Sequence, residues 1–235
     1  MQCELASLDS VKRTADDILA KESRLDVLMC NAGIMALPLG LTKDGYEVQF
    51  GTNHLGHALL IQKLLPLLQR TAETGVDVRV IILTSICYQL HPFGGIIFDD
   101  LKTTQDYGFL GSWRRYGQSK LANILYTREL ARRYPAITAV SVHPGVITTG
   151  LLENLGWAHR WFIYATTFNR RVTLEEGSYN QLWAAMTSKD GLVTGQFHMP
   201  VGVASNDKLT KTAQDDVLAG QLWHWTDKAL EVYYQ

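Results

Sequence analysis

The sequence predicts an α/β fold in which a parallel β-sheet carries helices on both faces. Three observations predict it. Short, nearly uninterrupted apolar runs at residues 25–30, 78–83 and 138–142 have the length of strands buried on both faces. Segments with helical apolar spacing separate them, the alternation that builds parallel sheets. The chain has 235 residues and 26.4 kDa, a natural size for one α/β domain with a sizeable core.

The elements follow in order. Leu8, Val11, Ala15, Ile18 and Leu19 recur at helical spacing, so about 7–22 is an amphipathic helix with Ser7 as its cap. A strand covers 25–30, and residues 37–42 read as loop. A long helix from about 44 to 69 carries Asn53 and is expected to bend near Pro66. A strand at 78–83 comes next. The Gly-, Pro- and Asp-rich stretch 91–109 reads as a surface excursion. Helix 113–134 stops before Pro135, and strand 138–142 follows. Residues 150–171 are aromatic and irregular. Thr173-Leu174-Glu175-Glu176 has capping-box spacing and opens a helix reaching about 186. A short strand at 196–200 and a helix at 213–234 end the chain.

Composition excludes several classes. With 22 basic and 23 acidic residues there is no basic footprint for nucleic acid and no polybasic membrane patch. No apolar stretch approaches the ~20 residues of a membrane span, and no signal-peptide pattern opens the chain. Cys3, Cys30 and Cys87 form no Cys-x-x-Cys spacing and fit structural thiols in a reducing, cytoplasmic setting. His54 and His57 sit three apart without an apparent third ligand, so no metal site is expected. The reading is one soluble domain over 1–235.

The chemistry concentrates in Tyr116-Gly117-Gln118-Ser119-Lys120, continued by Leu121-Ala122-Asn123. Residues four apart on a helix share a face, which puts the phenol of Tyr116 beside the ammonium of Lys120. A nearby cation favours phenolate, so the expectation is a tyrosine whose pKa is lowered towards neutrality. A lone Tyr-x-x-x-Lys is weak, but four further segments accompany it in order. Asn31-Ala32-Gly33 follows the first strand, and Asn53-His54-Leu55-Gly56-His57 lies in a helix. Thr84-Ser85 ends the second strand, and His143-Pro144-Gly145-Val146-Ile147-Thr148-Thr149 ends the third.

Together these segments resemble the short-chain dehydrogenase/reductase family, and the Asn-His-Leu-Gly-His and Gln-Ser-Lys-Leu-Ala-Asn wording is similar to its retinol-dehydrogenase-like branch, which fungal secondary-metabolite reductases resemble too. The resemblance covers nearly the whole chain from about Leu5. It implies a Rossmann-like, doubly wound parallel sheet, here truncated in its N-terminal half. The family's Thr-Gly-x-x-x-Gly-x-Gly turn, which cradles a dinucleotide pyrophosphate at a helix N-terminus, does not occur in the sequence. Glu4-Leu5-Ala6-Ser7 resembles the family's Asp-Leu-Ala-Ser stretch, so the first two strand–helix units are absent.

The resemblance implies roles residue by residue. Tyr116 exchanges the proton with the carbonyl or alcohol oxygen, Lys120 holds the tyrosine pKa down and bonds a nicotinamide ribose, and Ser85 donates to the substrate oxygen. Asn53 positions a relay water. Glu4, Asn31, Gly33, Lys120, Pro144, Gly145 and Thr149 line a cofactor, NADP or NAD. The aromatic stretch 150–172 resembles the family's variable substrate loop, and its Trp157, Trp161, Phe162, Ile163, Tyr164 and Phe168 read either as core or as an amphipathic lid over an apolar substrate. The expected function is carbonyl–alcohol interconversion on a small apolar or aromatic substrate, in the setting of secondary metabolism. Two alternatives stand beside it: a non-redox isomerase, dehydratase or cyclase, and a non-catalytic remnant. The first strand would lose its neighbours, so either residues 1–5 replace them or another chain, such as a second copy, masks the edge.

Overall fold

The structure, a computed structural model, describes residues 2–145 and 173–234. The elements are α1 (Leu8–Lys21), β1 (Val27–Cys30), the composite helix α2 (Val48–Phe50, a π turn at Gly51–Leu55, then Gly56–Glu73), β2 (Arg79–Leu83), α3 (Gly111–Arg133), β3 (Thr138–Val142), α4 (Tyr179–Met186), β4 (Phe197–Met199), β5 (Val203–Ala204) and α5 (Asp216–Leu230). One five-stranded sheet runs in the order β1-β2-β3-β4-β5. β1 to β4 pair in parallel and β5 returns antiparallel on β4.

Strand alternation divides the core into two layers, as a two-sided sheet requires. Leu28, Cys30, Val80, Ile82 and Ala139 face the cluster shared with α1, α2, α3 and α5. Ile81, Leu83, Val140 and Val142 face the other way, onto Ala184 of α4 and Leu192, with Met29 and Trp183 packed alongside. The chain is therefore wound on both faces, and the C-terminal ends of the four parallel strands β1 to β4 open in one direction.

Several local expectations change. Ser7 occupies the N-cap position of α1 but makes no capping bond. The Asp44 carboxylate does that work from a distant loop, accepting the Leu8 N–H at 2.9 Å. The irregularity in α2 lies at Gly51–Leu55 and not at Pro66, which is carried within the helix. The stretch 91–109 is only partly superficial, because Ile96, Leu101 and Gln105 are buried. Thr173 and Glu176 do form the reciprocal box: Glu176 Oε2 accepts the Thr173 N–H at 2.7 Å, and Thr173 Oγ1 accepts the Glu176 N–H at 3.1 Å. Asp215 caps α5 through the Val217 and Leu218 N–H groups.

Residues 2–5 do not become a replacement strand. The Leu5 backbone lies against α2, so close that a Cβ on Gly56 would fall 2.7 Å from the Leu5 carbonyl. Held there, the segment cannot reach β1. Among the described residues the outer edge of β1 stays unpaired, and Val27 is 37% exposed. Among the described residues no helix is long and apolar enough to cross a membrane.

Candidate active site

Tyr116 and Lys120 project from the middle of α3, where nearly every side chain is buried. The Lys120 ammonium stands 5.7 Å from the Tyr116 ring centroid, on one helical face as the spacing predicts. Its Nζ donates to the Leu83 carbonyl at the end of β2 (3.2 Å), and Asn123 Nδ2 donates to the same oxygen (2.9 Å). Thr84 Oγ1 donates to the Lys120 carbonyl (2.8 Å), which stitches the strand end to the helix. Ser85 follows directly, and its hydroxyl acts on the Tyr116 phenol in the direction that favours phenolate. The same oxygen accepts the Cys87 N–H at 3.2 Å and caps the 3₁₀ turn Ile86–Leu90.

Asn53 sits within the π turn of α2, fully buried. Its carboxamide pairs twice with the Ile34 backbone: Oδ1 accepts the N–H at 2.8 Å and Nδ2 donates to the carbonyl at 2.9 Å. Nδ2 also reaches Ser119 Oγ at 2.9 Å, and that hydroxyl donates to the Tyr116 carbonyl at 2.8 Å. The π turn presents Asn53 to two partners at once, a recurrent use of such bulges near functional sites. Ser85, Asn53, Tyr116 and Lys120 thus gather at the C-terminal ends of β1 and β2.

Cofactor-facing positions divide. Gly33 lies against this group: a Cβ there would stand 3.0 Å from Asn53 Oδ1 and 3.5 Å from Lys120 Nζ. Asn31, two residues before it, meets Gln181 Nε2 of α4 at 3.4 Å. Gly145 has φ +92°, a left-handed conformation that glycine takes freely, just after Pro144. Glu4 is tied elsewhere, its carboxylate accepting the Ala6 N–H at 3.1 Å where the chain enters α1. Thr149 and the aromatic stretch 150–172 lie outside the described residues.

The electrostatics correct one expectation. Tyr116 is not pulled towards neutrality. Burial pushes its phenol above the ordinary value, the neighbouring Cys87 adds to the rise, and the Ser85 hydrogen bond opposes it. Burial also lowers Lys120, to about 8. The physical reason is that desolvation, the largest cause for both groups, penalises both charged forms. At neutral pH the phenol therefore holds its proton and the ammonium is mostly charged.

His54 and His57 do not converge. His54 Nε2 meets Thr226 Oγ1 at 3.0 Å, whereas His57 Nδ1 meets the Asn53 carbonyl at 3.1 Å. Sequence reasoning missed two supports. Asn180 of α4 donates through Nδ2 to the His143 carbonyl (2.7 Å) and the His198 carbonyl (3.1 Å), and its Oδ1 accepts the Gly202 N–H (2.9 Å). It fixes the strand ends immediately before Pro144-Gly145. Arg115 and Glu47 form a buried ion pair beside Tyr116. A polar residue within a helix carries no local sign of such a tertiary bond.

Gly117 is needed for space. A Cβ there would fall 2.7 Å from the Cys87 carbonyl oxygen and 2.8 Å from both His91 N and Leu90 C, all backbone atoms. Gly117→Ala is expected to destabilise the fold by about 1–3 kcal/mol through overpacking and to push the Ser85–Cys87 turn off α3. Urea unfolding with activity measurement checks this, and a variant equal to the parent in both would contradict so close a contact.

No family model matches the chain. An uncharacterized oxidoreductase of Schizosaccharomyces pombe is 37% identical over 249 residues, covering 98% of this chain and 69% of that protein. Human retinol dehydrogenase 14 is 37% identical over 94% of this chain and 63% of its own length. A short-chain dehydrogenase/reductase of Aspergillus calidoustus is 34% identical over 98% of this chain and 76% of its own. The chain therefore spans roughly two thirds to three quarters of these relatives. Among solved structures, an uncharacterized protein from Mycobacterium paratuberculosis superposes with a TM-score of 0.72 at 32% identity, covering 98% of this chain and 75% of that one. NADPH-bound carbonyl reductase from chicken fatty liver gives 0.58 at 27% identity, over 86% and 74%. Likeness across almost the whole chain, joined to one shared α/β fold, means that the chain belongs to the short-chain dehydrogenase/reductase family.

Proposed function

We propose that this chain is an NAD(P)-dependent oxidoreductase that interconverts a carbonyl and an alcohol on a small apolar or aromatic substrate. One observation carries the reading: a buried phenol that keeps its proton, Tyr116, lies under the influence of the Ser85 hydroxyl, and the Lys120 ammonium stands 5.7 Å from its ring. The names of the relatives, retinol dehydrogenase and carbonyl reductase among them, support the same reaction class.

The residues present fit the nicotinamide end of a dinucleotide. Gly33 keeps open a strip beside Lys120 Nζ, and Lys120 has donors beyond the one spent on Leu83. Asn31, Gly33, Pro144 and Gly145 would line that end, with Thr149 proposed from the family pattern; Glu4 matches the family position that faces adenine, at the other end of the cofactor. When bound, the nicotinamide supplies the hydride. Tyr116 would give its proton to the carbonyl oxygen in reduction, and Ser85 would hold that oxygen by a second hydrogen bond. Asn53 would position a water between Lys120 and solvent. An apolar wall of Met35, Ala36, Leu90, Leu110 and Trp113 around Tyr116 supports an apolar or aromatic substrate.

Calorimetric titration with NADH and NADPH tests the reading. Saturable binding of one of them together with reduction of an apolar carbonyl is expected. Turnover that needs no nicotinamide would replace this reading with a non-redox one. In the reductive direction kcat/KM is expected to be flat near neutrality and to fall above about pH 8, as Lys120 loses its charge. A pH–rate profile flat from 7 to 9 would remove Lys120 from the mechanism. An unpaired strand edge invites pairing with another chain, and association of two copies through β1 is expected as a dimeric mass in sedimentation.

A further inference from the structure

Arg115 precedes Tyr116 in α3, and its guanidinium is almost wholly buried. Each of its three nitrogens meets a different part of the chain. Nε lies 3.2 Å from Glu47 Oε1, at the start of α2. Nη1 donates to the Gln105 carbonyl at 3.1 Å. Nη2 donates to the Leu37 carbonyl at 2.9 Å. Glu47, with a fully buried side chain, accepts the Phe50 N–H through its other oxygen at 2.7 Å, so α2 is tied into the same junction.

The backbone around the junction is strained. Ala36 and Gln105 both have φ +51° and Leu110 has φ +60°, the left-handed region that costs non-glycine residues. Two of the three adjoin or carry a carbonyl that Arg115 holds. Leu110 begins α3, and its side chain packs in the cluster around Tyr116. Strain of this kind persists only where surrounding bonds over-determine the backbone.

The segment after β1 is pinned at two points, at Ile34 by Asn53 and at Leu37 by Arg115. The residues between the pins, Met35 and Ala36, pack against Trp113 and Tyr116. Gln105 is likewise held twice, by Arg115 at its carbonyl and by Gln118 Nε2 at its Oε1 (2.8 Å).

We propose that Arg115, paired with Glu47, is a positioning residue that clamps the 34–37 and 105–110 segments into the wall facing Tyr116, and so determines which carbonyl substrates fit. The role in the reaction rests on the oxidoreductase reading above, whereas the clamp itself does not. The clamp acts by geometry: a planar fork hydrogen-bonds two fixed carbonyls while its third nitrogen pairs with the Glu47 carboxylate, an arrangement a lysine ammonium cannot reproduce. Removing one partner alone would leave a buried charge unpaired, but an apolar pair of similar volume can replace a buried ion pair with little change in stability.

The test therefore uses the double variant Glu47→Leu/Arg115→Met beside Arg115→Lys, each in a Cys3→Ser background. The expected result is a melting temperature of the double variant near the parent's, with amide exchange at residues 34–37 and 105–110 faster by about tenfold or more. Protection of β2 and β3 should not change. Cys87 packs in the same cluster, so its modification by a thiol reagent should also accelerate. In turnover, KM for the carbonyl substrate rises, that for the nicotinamide stays, and kcat/KM falls about 10–100-fold, with selectivity between bulky and compact substrates relaxed. Unchanged exchange in both segments would overturn the clamp even if the parent shows no turnover. Faster exchange with unchanged substrate KM and selectivity would overturn the positioning role. Should the double variant fail to fold, exchange in Arg115→Lys decides the clamp by the same criterion.

Discussion

Tyr116→Phe is expected to lower kcat for carbonyl reduction by about 10²–10⁴-fold, the range spanned by a positioned general acid. The phenol proton is the one that burial keeps in place at neutral pH, with the Ser85 hydroxyl acting on it in the opposite direction. Phenylalanine fills the same space against Ala36 and Trp113, so the wall survives and only the hydroxyl is lost. The stability change should stay near the ~1 kcal/mol of one hydrogen bond. Nicotinamide affinity should be unaltered, because Lys120 is anchored independently on the Leu83 carbonyl. Ser85→Ala removes a donor to the same oxygen and is expected to cost about 2.7–4 kcal/mol of transition-state stabilisation, less than the tyrosine at the upper end of its range. Single-turnover kinetics with saturating cofactor separates these effects from binding. A Tyr116→Phe protein that reduces its substrate at the parent rate would remove the proton donor from the mechanism, and the oxidoreductase reading with it.

How far this was legible in the sequence depended on the range of the interactions concerned. Strand runs and helical spacing fixed the order of elements because side-chain periodicity is local, and the Tyr116–Lys120 face follows from the helical repeat alone. The capping box at Thr173 and Glu176 is equally local, and it formed. The downward shift expected for Tyr116 failed because it counted a neighbouring charge and not the burial of both groups, which only the packed structure sets. Ser7 lost its capping role to Asp44, 37 positions away, and the π turn that holds Asn53 left no mark in the local sequence. Arg115 drew no attention in the sequence. Its bonds to Glu47, Leu37 and Gln105 join segments that are far apart in the chain, and no window of sequence brings them together.

Acid should unfold this protein earlier than its balanced charge suggests. His54, His57 and His143 are all buried, and burial is the first cause of their lowered pKa values, about 3 for His54 and about 4 for His57 and His143. The Lys120 charge depresses His57 and His143 further. In the unfolded chain each histidine titrates near its ordinary value of about 6.5. Between that pH and the folded values the unfolded state binds more protons, so the contribution of these histidines is complete above about pH 6.5 and is lost as the pH falls. The loss levels off only near pH 4 and below, where the folded protein begins to take up the same protons. Each histidine contributes about 1.4 kcal/mol per pH unit over that window, or roughly 4 kcal/mol for the three together at pH 5.5 if they act independently. Against a typical total of about 5–15 kcal/mol, that is a large share. Urea midpoints measured from pH 8 to pH 5 are expected to be level down to about 6.5 and to drop steeply below it. Replacing His143 with glutamine, which removes one titrating ring, should make the acid limb shallower by one proton's worth. Midpoints that stayed level to pH 5 would mean that these rings take up protons without unfolding, which their packing around Asn53, Thr226 and the Asn180 clip does not permit.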